Sequence, residues 1–246
     1  MDVSSYVLLS HEQALRRRMD VVANNLANVS TTGYKRELPL FHEQVRLSPG
    51  DGPADTRPVS YVLDFGAVHD AREGAFQATS NPLDVAIDGA GYFSVVLPDG
   101  GTAFTRAGNL KLLDTGQLGT AGGQPIRGEG GAPIMVPPDT RISILADGTI
   151  STADGPIGRI ALTRFDNEAA VDPRGDGLFD AAGGRELPAS ETRLRTGGLE
   201  TSNVQPIVET SQMIEILRSY QSSQRMGESL SEMRKRALER LGRVGN

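Results

Sequence analysis

The residues best able to carry acid–base or metal chemistry are three histidines, His11, His42 and His69, and none is placed for it. A zinc site needs several donors at short, fixed spacings such as H-x-x-x-H. No histidine here has a second histidine at such a spacing, so solvated or packing roles are expected. Cysteine is absent, which removes thiolate nucleophiles, zinc–thiolate sites and disulfides. No G-x-S-x-G elbow occurs, and a Ser-His-Asp site would have to borrow a histidine from outside the central part of the chain. Gly128-Glu129-Gly130-Gly131 lacks G-x-G-x-x-G spacing, puts an acid where phosphate would sit, and runs into Pro133 instead of a helix. Asp172–Gly177 fails as a calcium loop, because Arg174 stands third and Gly183 stands twelfth, where a bidentate Glu is required. Carboxylates are plentiful, but nothing selects a pair. The expectation is no catalytic residue, no cofactor, no metal ligand and no enzyme activity.

Two polar clusters remain. Arg16-Arg17-Arg18 fans around most of a helical turn, so it makes no flat basic face. With a net charge of −6, nucleic acid is not an expected partner. The other cluster lies in Ala23–Lys35, where Asn24, Asn25 and Asn28 put three amides into five positions. Asn is a mediocre helix former, so this density needs a reason. One reading is capping and fraying at a helix end. The other is amides that bridge the backbone of adjacent subunits in a close-packed wall.

The elements that position these residues follow from periodicity. Leu8, Leu15, Met19, Val22, Leu26 and Val29 recur in steps of four and three, with Glu12 the only break, predicting a helix over about Val3 to Asn28. Gly33 is placed to end it in a left-handed conformation. A second helix is expected from Pro206 to Leu241, with Gly227 inside. Met213, Leu217 and Tyr220 form one stripe; Met226, Leu230, Met233, Ala237 and Leu241 form a second, rotated one. Between the helices, short strand-like runs begin at Val85–Ile87 and Tyr92–Leu97 and continue to Ile157–Phe165. Turn signals such as Pro98-Asp99-Gly100 and Asp147-Gly148 separate them. The aromatic content of 5% and the 29 Gly suit such a β body better than one deep core.

The predicted architecture is mixed: an all-β central domain flanked by long N- and C-terminal α-helices that pair as a coiled-coil-like layer. Its segments are an N-terminal helix (1–37), an extended connector (38–80), the β domain (81–188), a return connector (189–206) and a C-terminal helix (207–246). The two ends are near neutral and the acidic balance lies in the middle, suggesting a solvated body and ends that meet protein. No apolar run approaches the roughly 20 residues of a membrane span, so membrane insertion is not expected. The N-terminus has no signal-peptide pattern, because Arg16-Arg17-Arg18 follows the apolar stretch instead of preceding it.

Asn24-Asn25-Leu26-Ala27-Asn28 followed by Thr32-Gly33-Tyr34-Lys35-Arg36 resembles the N-terminal signature of the flagellar basal-body rod and hook family. Gly198–Val204, Met213-Ile214-Glu215 and Ser219-Tyr220-Gln221 are similar to its C-terminal signature. Asn81–Gly89, Gly91-Tyr92-Phe93 and Thr105–Gly108 resemble the β domain of its larger members. The chain looks most like the proximal-rod type. Ser219-Tyr220 departs from the family's usual Ala-Tyr, which puts nothing in doubt. The resemblance implies a structural subunit of the periplasmic rod, with other proximal and distal rod proteins as partners. It also implies passage through the flagellar type III export apparatus without a cleaved signal peptide. The expected assembly interface comprises Leu8, Leu15, Met19, Val22, Asn24, Asn25, Leu26, Asn28, Gly33 and Tyr34 at one end. Asn203, Met213, Leu217, Tyr220, Leu230 and Met233 supply the other. Alternatives are a distal-rod subunit, or a secreted β-domain adhesin with coiled-coil ends.

Overall fold

A computed structural model describes residues 3–49, 56–166 and 171–244. The chain divides into two compact units that interleave along the sequence. One is made of residues 1–26, 37–68 and 205–246, the other of residues 27–36 and 69–204.

The first unit holds helix α1 (Val3–Ala27), strands β1 (Glu37–Pro49) and β2 (Thr56–His69, whose last residue belongs to the second unit), and helix α2 (Pro206–Val244). At 1.5 Å per residue α1 and α2 are about 38 and 58 Å long. Among the described residues β1 and β2 pair only with each other. Here the structure differs from the expected extended connector. Pro39 and Pro58 lie within the two strands and read as breakers. A two-stranded ribbon is all edge, however, and edges tolerate residues that lack an N–H. Pro53 lies outside the described residues.

The second unit is the β body. Its strands are β3 (Phe76–Ala78), β4 (Val85–Ile87), β5 (Tyr92–Val96), β6 (Thr102–Thr105), β7 (Leu110–Leu112), β8 (Leu118–Thr120) and β9 (Ser143–Ile144). They continue as β10 (Thr149–Thr152), β11 (Gly155–Arg159), β12 (Leu162–Arg164), β13 (Asp172–Gly175), β14 (Leu178–Asp180), β15 (Arg185–Glu186), β16 (Leu194–Thr196) and β17 (Gly198–Glu200). An antiparallel sheet runs β13-β14-β6-β5-β12-β15, beside a smaller one ordered β11-β10-β9. Phe93, Val95, Leu118, Ile126, Ile150, Ile160 and Leu162 are fully enclosed in its main core. A second cluster packs Tyr92, Phe104, Phe165 and Phe179 edge to face.

Three expectations shift in the body. Ile134–Val136 forms only an isolated bridge, Met135 to Gln117, because Pro133 and Pro137 flank it and lack donors. Ile157–Phe165 is two strands, since the Ile160 N–H turns to the Gly148 carbonyl at 2.9 Å. Residues 189–206, expected as a connector, contain β16 and β17, which pair with β4 and β3.

Candidate assembly surface and the junction of the chain ends

Within the first unit, α1 and α2 run antiparallel. Arg234 donates to Ser5 Oγ at 2.9 Å, Ser223 to Glu12 at 3.4 Å, Arg16 to the Tyr220 hydroxyl at 3.4 Å, and Asn25 to Glu209 at 3.4 Å. The Arg16 bond also holds the Tyr220 phenol below its ordinary pKa. Leu15, Val22 and Ile216 are buried together, and Met19, Met213 and Tyr220 pack against them. The facing stripe of α2 is thus Glu209, Met213, Ile216, Tyr220, Ser223, Gly227, Leu230 and Arg234, again in steps of four and three. Sequence reading missed Ile216, Ser223 and Gly227, because polar and small residues interrupt the apolar pattern. Leu217, placed in the expected seam, is 47% exposed. Leu8, Leu26 and Leu230 are half-buried, and Met233 is exposed. The side chain of Leu241 lies outside the described residues.

A second set of apolar side chains therefore faces outward. On α2, Ile207 is 83% exposed, Leu238 is 70%, and Ile214, Leu217, Met226 and Met233 lie between 47% and 57%. On α1 and the hairpin, Tyr6, Leu9, Leu63 and Phe65 are exposed as well. An open groove of about 390 Å³ separates Tyr6, Leu9 and Gln13 of α1 from Tyr61–Leu63 of β2.

The asparagines engage their own chain. Asn25 is buried and clamps Glu37 at both ends: its Oδ1 accepts from the Glu37 N–H at 2.8 Å and its Nδ2 donates to the Glu37 carbonyl at 2.9 Å. Asn24 donates to the Glu37 carboxylate at 3.0 Å. In the other unit, Asn28 Oδ1 accepts from Thr31 Oγ1 at 3.1 Å, inside the turn that ends α1. Asn24 and Asn25 hold Glu37, where the chain enters β1, and Asn28 holds the turn that ends α1.

The junction inside the body is ionic. Glu200 is buried between Lys35, at 2.7 Å, and Arg106, at 3.1 Å. Lys35 also donates to the Arg72 carbonyl at 2.9 Å, and Arg106 to the Gly89 carbonyl at 2.9 Å. Gly33 sits at φ +69° with its N–H on the Glu200 carbonyl at 2.9 Å. Asn203 accepts from the Arg36 N–H at 2.7 Å and donates to the carbonyls of Asp70, at 3.0 Å, and Arg72, at 2.8 Å. Its own N–H reaches the Tyr34 carbonyl at 3.4 Å. The Arg72 guanidinium bonds the Asp70 carboxylate and holds it below the usual carboxylate range. Lys35, Arg106 and Glu200 each lie in a stretch that carries the family resemblance, but nothing in their spacing showed that they pair.

The remaining chemistry candidates have structural settings. His42 lies tilted against Phe65, and His69 meets Phe179 edge to face with Nδ1 3.4 Å from the Lys35 carbonyl. Gly128–Gly131 is a turn closed by Gly131 N–H to Gly128 carbonyl at 3.0 Å. Asp172–Gly177 forms β13 and a turn carrying Asp176 at φ +53°.

Three family profiles match the chain in order. They are a flagella basal body rod protein profile over residues 6–35, a flagellar hook protein FlgE/F/G D1 domain over 86–152, and a flagellar basal body rod FlgEFG protein C-terminal profile over 195–240. A flagellar basal-body rod protein FlgF of Caulobacter vibrioides is 36% identical over 99% of this chain and all of its own length. The chain belongs to the flagellar basal-body rod protein family. A FlgF of Salmonella typhimurium is 35% identical over 96% of this chain and 97% of its own. A FlgG of Bacillus subtilis is 32% identical over 91% and 93%. The function is that of a structural rod subunit, and the FlgF type is the main reading. Among the described residues, no helix is long and apolar enough to cross a membrane.

Proposed function

We propose that this chain builds the proximal part of the rod by packing its paired terminal helices, as a coiled-coil-like layer, against neighbouring proximal and distal rod subunits. The observation that carries this reading is the set of large apolar side chains that α2 leaves exposed. The α1–α2 seam is already filled by Leu15, Val22 and Ile216, yet Ile207, Ile214, Leu217, Met226, Met233 and Leu238 remain in water. Fully burying a side chain of this size contributes about 1.5–3 kcal/mol, so covering even part of these exposed surfaces favours contact with neighbouring subunits. α2 also outruns α1: Arg234 lies opposite Ser5, which leaves Lys235–Val244 beyond that register. On this reading the subunit acts by shape and stiffness, without catalysis, in the periplasm. It arrives through the flagellar type III export apparatus without a cleaved signal peptide. The similarity to FlgG proteins supports a distal-rod position as the second reading.

Leu217→Asp and Met233→Asp test it, because both side chains are exposed. Purified monomers of either variant should keep their helical circular dichroism and melt within about 2 °C of the parent, as surface changes do. Basal bodies isolated from the corresponding strains should lack the subunit, and the cells should not swim. Normal incorporation of both variants would rule this surface out as the contact.

A further inference from the structure

Two side chains of the return segment, Glu200 and Asn203, hold two distant stretches of the body's backbone. Glu200 Oε1 takes the Lys35 ammonium at 2.7 Å and the Gly74 N–H at 2.9 Å, while Oε2 takes Arg106 at 3.1 Å. Asn203 takes the Arg36 N–H and gives its own amide hydrogens to the Asp70 and Arg72 carbonyls. Residues 33–36 and 70–75 are thereby fastened to residues 198–204, more than a hundred positions away in each case. The same three stretches also bond each other through main chain. Asp70 N–H meets the Arg36 carbonyl at 2.8 Å, and Thr201 N–H meets the Ala75 carbonyl at 2.9 Å.

We propose that Glu200 and Asn203 form a latch that orders residues 33–36 and 70–75 in one step, and only once the return segment is in place. The choice of charge is the reason. Lys35 and Arg106 are each 1% exposed in the side chain. A buried cation stripped of its carboxylate is strongly disfavoured, so residues 33–36 cannot dock on the body before Glu200 does. Apolar residues of similar size would let them dock early and in more than one register. The latch lies beside the points where the chain leaves the body, after Arg36, before His69 and after Val204. It therefore orders the body's own residues next to each of those points. It acts independently of the outward apolar face and does not rest on the assembly reading.

Residue-resolved hydrogen exchange on the full-length chain tests it, with Glu200→Gln and Asn203→Ala as separate variants. Asn203→Ala removes the Arg36 acceptor outright, and Glu200→Gln replaces one of the two oxygens that serve Gly74, Lys35 and Arg106 with an NH2 donor, so the Gly74 and Arg36 amides are not diagnostic. The diagnostic amides are Gly33, bonded to the Glu200 main-chain carbonyl, and Asp70, bonded to the Arg36 carbonyl. The latch predicts that both exchange at least tenfold faster in both variants, while Val95, Ile150 and Leu162 stay within twofold. Adding Lys35→Met to Glu200→Gln should recover at least threefold of the lost protection, because it removes the stranded ammonium. Acceleration confined to Gly74 or Arg36 would overturn the latch. So would equal acceleration throughout the core. Should Glu200→Gln fail to fold, the Asn203→Ala comparison decides alone.

Discussion

Gly33 has neither room nor backbone freedom to spare. A Cβ there would lie 2.5 Å from the Arg106 carbonyl carbon and 2.8 Å from Ala107 N, at a φ of +69° that L side chains rarely adopt. Gly89 differs, with φ +105° and open space where a Cβ would stand. Gly33→Ala therefore combines left-handed strain with a backbone clash and should cost about 2–4 kcal/mol, whereas Gly89→Ala should cost about 1 kcal/mol. Urea unfolding of the two variants checks the ranking, and equal losses would mean that the junction is slack. The sequence marked Gly33 as a helix stop, and the stop is there. What it could not show is that Arg106, far along the chain, closes over that glycine. That contact is with the Arg106 main chain, which no residue type announces. Glu200 lies in a family-like stretch, but its pairing with Lys35 and Arg106 is not legible from spacing.

At the scale of elements, periodicity reached as far as the pattern stayed apolar. Leu15, Met19 and Val22 lie on the inner face of α1 as their spacing predicts. On α2 the same logic chose Leu217 over Ile216, because both fit steps of three and four between Met213 and Tyr220 and spacing does not separate them. The true facing stripe passes through Glu209, Ser223 and Gly227, whose partners are Asn25, Glu12 and Leu8. Polar pairs across a helix interface look like solvent-facing residues until the partner helix is known. The hairpin was hidden for a different reason, since its prolines imitate a linker. Ile216 is 1% exposed, so Ile216→Ala should destabilise by about 2–4 kcal/mol, against about 0.5 kcal/mol or less for Leu217→Ala. Chemical denaturation followed by helical circular dichroism separates the two, and indistinguishable midpoints would contradict the packing described.

For the whole molecule, strands such as β4 to β7 were legible because turn signals bracket them, whereas β3, β8, β10 and β13 to β17 and the two compact units were not. The chain passes between units after Leu26, Arg36, Val68 and Val204, so neither unit is continuous in sequence. Contiguous segments such as 38–80 and 189–206 could only read as connectors. The three family profiles fall on α1 and the turn after it, on the body, and on β16 through most of α2, covering both ends and the middle. A subunit that works by occupying its place in a rod makes one direct claim, that the rod cannot continue without it. Electron micrographs of basal bodies from a strain lacking this gene measure that. The expected images show rods that stop short, with no distal rod or hook, in cells that do not swim until the gene is returned. Complete rods carrying hooks in the deletion strain would contradict the account.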